Sequence, residues 1–158
     1  MKKTILRQLI VLPLLVAVMA TLYACGAAKG VSRATPAPFT NIYVLTQGAS
    51  ATIGAAAVTG VAASAPVVRL ERVNDSRCRT GMVCVWAGYI SFSFTLKQPD
   101  GSVSSFVLSN DMPDGTAKVS RNGLTFTLDG YAPLPAPAKD EVPPNYQVSL
   151  KVSNINSP

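Results

Sequence analysis

Three cysteines and the absence of histidine bound the chemistry open to this 158-residue chain. A thiol can be acylated, paired, oxidised or given to a metal, and each fate needs different surroundings. Cys25 stands alone at the end of an apolar run, whereas Cys78 and Cys84 lie six apart within NDSRCRTGMVCVWAG, Asn74 to Gly88. Thr80 and Gly81 between them let the chain turn back, so the spacing fits a disulfide, which stabilises by ~2 kcal/mol over so short a loop on the chain-entropy model. The pair is not C-x-x-C and no histidine can complete a zinc shell, so it reads as a structural staple rather than a redox or metal site. Neither a Ser-His-Asp nor a Cys-His pair can form, and S-x-x-K is absent. Of the eight acidic residues, Asp100, Asp111, Asp114 and Asp129 sit beside or near Gly or Pro and read as turn formers rather than paired catalytic carboxylates. Asp111 and Asp114 lack the ligand pattern of an EF-hand calcium loop, and no glycine motif that cradles phosphate is present. The expectation is a non-enzymatic protein with no cofactor and no metal.

Binding chemistry is better represented. Arg77 and Arg79 share the cysteine loop and can meet a phosphate, a carboxylate or an acidic partner, or they can be solvated charges paired with neighbours such as Asp75. Asp75 can accept a bond from the backbone N–H two residues on and pair with Arg77. Trp86, the single tryptophan, can serve as a binding platform or lie over the disulfide or core, with Val83 and Val85 buried nearby and Gly88 leaving room beside the ring. Strand alternation puts Arg69 and Glu71 on one side and Arg72 on the other. The candidate partner-binding residues are therefore Arg77, Arg79 and Trp86.

The elements that must position them have a period of two. Ile90, Phe92, Phe94 and Leu96 alternate with Ser91, Ser93, Thr95 and Lys97, the pattern of a strand with one buried and one wet face. Pro99-Asp100-Gly101 is a turn leading to a return strand over Val103 to Ser109. Asn122-Gly123 marks a type I′ hairpin between Lys118 to Arg121 and Leu124 to Leu128. Further strands are expected at Ile42 to Thr46, Val67 to Val73 and Tyr146 to Ser153. Within the Ala- and Gly-rich stretch 48–66, a strand at Ala51 to Ile53 followed by loose chain is expected. Five prolines in 132–144 cannot sit inside a sheet, so that segment reads as an extended crossover between the last strands. Short strands, frequent turns and no helical period predict an all-β domain: an antiparallel β-sandwich, immunoglobulin-like, or an open barrel, with one disulfide.

The N-terminus resembles the signal of a bacterial lipoprotein. Lys2, Lys3 and Arg7 precede the apolar Leu9 to Ala20, which is short for a membrane span, and Leu22-Tyr23-Ala24-Cys25 is similar to a lipobox. The resemblance implies a signal peptide over 1–24, acylation of Cys25, a tether over 25–38 rich in small residues and proline, and a domain over 39–158. Several acyl chains make a durable anchor at ~0.8 kcal/mol per buried methylene. Gly26 in place of Asp favours the outer membrane if the organism is Gram-negative. Losing Lys2, Lys3 and Arg7 with the signal leaves eleven basic against eight acidic residues, a net of +3 against +6 for the full chain. That balance is no nucleic-acid footprint, and it favours anionic envelope components only weakly.

Asp75-Ser76-Arg77-Cys78, then Gly81, Cys84, Val85, Trp86 and Gly88, resembles a signature of small secreted and lipid-anchored bacterial proteins of uncharacterised function, in which D-S-R-C-P is followed by C-V-W-x-G and an alternating strand. Arg79 stands where that signature has proline. The resemblance implies a β-rich envelope domain and no activity. The function expected is a lipid-anchored envelope module that binds another envelope component, with two alternatives: an inhibitor of a hydrolase that presents Arg77 to Val83, or a purely structural envelope lipoprotein.

Overall fold

Each segment of alternating hydrophobicity becomes a strand, and the apolar half of each faces one shared interior. The computed structural model describes residues 37–54 and 65–155. Eight strands follow in order: β1 (Thr40–Leu45), β2 (Ser50–Thr52), β3 (Val67–Asp75), β4 (Ile90–Lys97), β5 (Val103–Leu108), β6 (Lys118–Arg121), β7 (Leu124–Ala132) and β8 (Gln147–Ser153). They form two antiparallel sheets of four, ordered β1-β8-β7-β6 and β2-β3-β4-β5. Every neighbour in a sheet is also a neighbour in sequence, apart from β8 beside β1. This is the connectivity of an up-and-down barrel opened at the β1/β2 and β5/β6 corners, rather than the Greek key of an immunoglobulin domain.

The two inner faces meet in one core. Val68, Leu70, Phe92, Phe94, Leu96 and Leu108 from one sheet are buried with Phe126, Val148, Leu150 and Val152 from the other. Phe106 bridges the layers, with ring centroids 5.3 Å from Phe94 and 4.7 Å from Phe126. Fully burying a side chain of this kind contributes roughly 1.5–3 kcal/mol, so the interleaved phenylalanines carry a large share of the drive to fold. The Asn122-Gly123 turn has φ of 51° and 75°, as a type I′ hairpin requires. Gly101 at φ 86° completes the β4–β5 turn, where Asp100 accepts the Ser102 N–H at 2.8 Å.

Two bulges break the alternation. The register of β3 slips at Glu71 and that of β7 at Asp129. An extra residue reverses which parity faces inward. Ahead of the bulge in β3 the even residues Val68 and Leu70 point in; beyond it the half-buried Val73 and Asp75 do. In β7, Tyr131 takes the inward place after Leu124, Phe126 and Leu128, its ring 5.1 Å from Phe92. The bulge corrects the expectation that Arg72 lies opposite Arg69 and Glu71: all three are solvent-exposed, and Arg69 pairs with Glu71 at 3.2 Å.

Register also fixes the two poles. Thr40 of β1 lies opposite Ser153 of β8, and the chain enters beside its exit: Phe39 N–H donates to Asn154 Oδ1 at 2.7 Å, and Asn154 N–H to the Phe39 carbonyl at 3.2 Å. The turns at 98–102 and 122–123 lie at this pole. The β3–β4 connection and the proline-bearing 133–146 lie at the other. Of the stretch 48–66, β2 occupies Ser50–Thr52, one residue earlier than expected, and Ile53 is buried. Residues 55–64 and the N-terminal 1–36, with Cys25 and the signal segment, lie outside the described residues.

Candidate functional site

The far pole is built by extending the β3–β4 hairpin past its ladder. Ser76 N–H donates to the Tyr89 carbonyl at 2.9 Å and Cys78 N–H to that of Ala87 at 2.8 Å, so the two arms stay paired. Gly88 makes the closure possible. A Cβ there would fall 1.9 Å from the Ser76 carbonyl oxygen, and its φ is +70°. The backbone of Ser76, rather than the indole of Trp86, is what demands glycine. Beyond Cys78 the chain reverses over Arg79 to Met82, with Gly81 at φ 84° and Met82 N–H on the Arg79 carbonyl at 3.0 Å. Cys84 then returns to Cys78 in a disulfide with Cα atoms 5.9 Å apart.

Arg77 is the hub beneath this tip. Its Nε and Nη2 donate to the two carboxylate oxygens of Asp75 at 2.9 and 2.8 Å, and its backbone N–H reaches the same carboxylate at 3.1 Å. Nη2 also reaches the Tyr146 hydroxyl at 3.0 Å; Nη1 reaches that of Tyr131 at 3.3 Å and the Leu134 carbonyl. Tyr146 O–H donates to Asp75, closing the ring. The Arg77 and Asp75 side chains are only 13% and 11% exposed. Burial pushes the Asp75 carboxyl upward, but bonds from Arg77 and Tyr146 and the guanidinium charge overcome it and hold the group at about 2. The bond to Asp75 raises Arg77 further above its ordinary range. Burial and then donation to Asp75 push Tyr146 up to about 12, and burial raises Tyr131.

Arg79 clamps the loop to the proline-bearing crossover. Its Nη1 lies within 3.1 Å of the carbonyls of Ala138 and Lys139 and 2.8 Å from that of Glu141. Thr80 adds its N–H to the Pro137 carbonyl at 3.1 Å and its hydroxyl to that of Ala136 at 3.0 Å. Arg77 thus turns all three guanidinium nitrogens inward, and Arg79 turns its Nη1. An arginine in the place of the signature's proline supplies the clamp.

The side chains of Met82, Val83, Val85 and Trp86 at the tip turn outward. Val83 and Val85 have exposures of 102% and 106%, Trp86 is 62% exposed, and Met82, Leu134 and Val142 are exposed as well. The expectation that the valines bury beside the tryptophan is corrected. Cys84 faces Cys78, so its two neighbours are thrown outward, and the core below is already filled by Ile90 and Phe92. Trp86 packs edge-on against Tyr89 at 6.1 Å and leaves the rest of its ring to solvent. Alternation did not reveal the cluster of Asp75, Tyr131 and Tyr146, because the bulges carry two of its members inward. Tyrosines on both flanks of the proline segment were its signal in the sequence. Among the described residues, no group of three His, Cys, Asp or Glu could hold a metal ion.

Fold and site together define a class: a disulfide-stapled, two-sheet β domain whose hairpin tip displays apolar side chains on a fixed frame. In comparisons with known proteins, no family model, no curated protein and no solved structure matches this chain.

Proposed function

We propose that the protein is a lipid-anchored, non-enzymatic binding module of the bacterial cell envelope that meets another envelope component through the Met82–Trp86 tip. The observation that carries this reading is the full exposure of Val83 and Val85 on a segment held by a disulfide and by Arg79. Folding gains nothing from side chains left in water, whereas a partner that covers them gains ~25 cal/mol per Å² of apolar area. Fixing the loop beforehand removes much of the ordering cost of association. Trp86 keeps its place among the contact residues; Arg77 and Arg79 support them from behind. The lipobox resemblance puts the anchor at Cys25, and the chain enters the domain at the pole opposite the tip.

The test is quantitative affinity capture from detergent-solubilised native envelopes, comparing wild type with Val83→Asp/Val85→Asp. Both valines are exposed, so the variant keeps the fold, checked by circular dichroism. A partner recovered with wild type and depleted at least ~10-fold with the variant is the expected result, since one buried apolar anchor is worth about 1–2 kcal/mol at an interface. Equal recovery would remove the tip as the contact surface and leave the structural reading standing.

A further inference from the structure

We infer that the protein self-associates through β5, the strand of one copy pairing antiparallel with the same strand of a second copy about a two-fold axis at Ser105. The inference is independent of the hairpin tip. Its ground is the contrast among the four sheet edges, β1, β6, β2 and β5. An edge strand turns half of its N–H and carbonyl groups away from its own sheet, and such edges are ordinarily guarded by shortness, charge, proline or a cover. Strand β2 has three residues, and β6 has four, with Lys118 and Arg121 at its ends. Beside β1, Asn41 Nδ2 donates to the Gly54 carbonyl at 3.2 Å and the Gly54 N–H reaches the Tyr43 hydroxyl at 3.4 Å. Strand β5, Val103-Ser104-Ser105-Phe106-Val107-Leu108, has six residues with no charge, no proline and no register shift.

Register shows which groups β5 leaves open. Gln98 N–H donates to the Ser102 carbonyl at 2.8 Å, so the bonded pairs that follow along the hairpin are Leu96–Ser104, Phe94–Phe106 and Phe92–Leu108. The backbone groups of Val103, Ser105 and Val107 therefore face away from β4. Ser109, next in the same parity, sends its N–H to the Thr116 carbonyl at 3.0 Å and closes the edge at that end. The hairpin turn closes it at the other. The open stretch is centred on Ser105, and its side chains are exposed, Val103 at 63% and Val107 at 42%.

The order Val-x-Ser-x-Val reads the same in both directions, which singles out a second copy among the strands that could fill this edge. Two-fold pairing sets Ser105 against Ser105 and each Val103 against Val107 of the other copy. Every open donor then meets an open carbonyl, giving six hydrogen bonds with none left over. Apolar cross-strand pairs stabilise, and like charges placed opposite each other destabilise. Here valine meets valine, and Lys97, beside Val103, lies in a row that ends at Ser93 of the second copy. Pairing β6 with itself would instead set Lys118 against Arg121. Because the β5 pairing is antiparallel, the two hairpin tips point in opposite directions.

The experiment treats envelope membranes holding the full chain with Ser105→Cys with a short bismaleimide, beside wild type and the edge controls Thr52→Cys and Ser120→Cys. A residue on a two-fold axis meets itself, so crosslinked dimer at least ~10-fold above each control is expected. Ser105→Pro removes an N–H that faces the open edge, so it keeps the β4–β5 ladder, checked by circular dichroism. It deletes two of the six bonds and should raise the dissociation constant of the dimer at least ~10-fold in analytical ultracentrifugation. Val83→Asp/Val85→Asp should dimerise as wild type does, which separates this surface from the tip. Equal crosslinking at the three edges, a single-copy mass at every concentration, or unchanged association of Ser105→Pro would overturn the inference. An adduct of Ser105→Cys with a different protein would overturn the second copy as occupant and give the edge to that protein's strand.

Discussion

Replacing Asp75 by Asn tests whether the ring of Asp75, Arg77, Tyr131 and Tyr146 holds the far pole together. The substitution keeps size and one acceptor but removes the charge facing a guanidinium that is only 13% exposed. Breaking a buried pair from one side costs about 3–5 kcal/mol, and the partial exposure here puts the expected loss near 3 kcal/mol at pH 7. Acid separates this from a packing defect. The folded carboxyl sits at about 2 against an ordinary 3.8, so its contribution is fully present above pH 5 and fades as pH falls through the unfolded value toward the folded one. The shift corresponds to ~2.4 kcal/mol, of which about 2 kcal/mol is lost by pH 2. Urea unfolding of wild type and Asp75→Asn at pH 7, 5, 3 and 2 should show the gap between them narrowing by about 2 kcal/mol on acidification. Tyr146 works at the other extreme: its folded value is raised to about 12, so its contribution holds below pH 10 and is lost above it. A gap that stayed constant from pH 7 to pH 2, or a loss below 0.5 kcal/mol at pH 7, on the order of an exposed pair, would refute the ring as a stabilising device.

Gly88→Ala should destabilise the domain by at least about 2 kcal/mol, from strain at positive φ together with the clash on the Ser76 carbonyl, whereas Gly81→Ala faces open space and should cost only the φ strain of about 1–2 kcal/mol. Thermal denaturation of the two variants side by side checks the difference; equal losses would mean that the approach of Ser76 is not limiting. For the anchor, Cys25→Ser should move the protein from the membrane to the soluble fraction, and a variant that stays bound through a high-salt wash would show that acylation is not what holds it.

The strands were legible because each buries one face, and burial writes a period of two into the side chains: Ile90 to Lys97 was read with its observed bounds. The Asn-Gly turn and the cysteine pair were legible for local reasons, backbone sterics in one and spacing in the other. The bulges were not. One extra residue at Glu71 or Asp129 changes no composition, yet it turns Asp75 and Tyr131 inward and makes the ring possible. The tip was misread for a different reason. Pattern reading assigns valine to the interior, and nothing local to Val83 or Val85 says that the core is already full. The pairing of Arg77 with Asp75, two residues away, was legible, but the other partners of Arg77 lie 54 to 69 residues along the chain and those of Arg79 lie 59 to 62, beyond the reach of any local pattern.

The entry of the chain at one pole and the tip at the other also decide how the domain would bear a load. A pull at Ala37 resisted at the hairpin tip runs along the strand axes. β1 is then drawn parallel to β8, to which it is paired over six residues from Thr40–Ser153 to Leu45–Val148. Their hydrogen bonds share the force together instead of opening one after another like a zipper. A domain loaded between its N-terminal entry and its tip would therefore resist extension through this pairing.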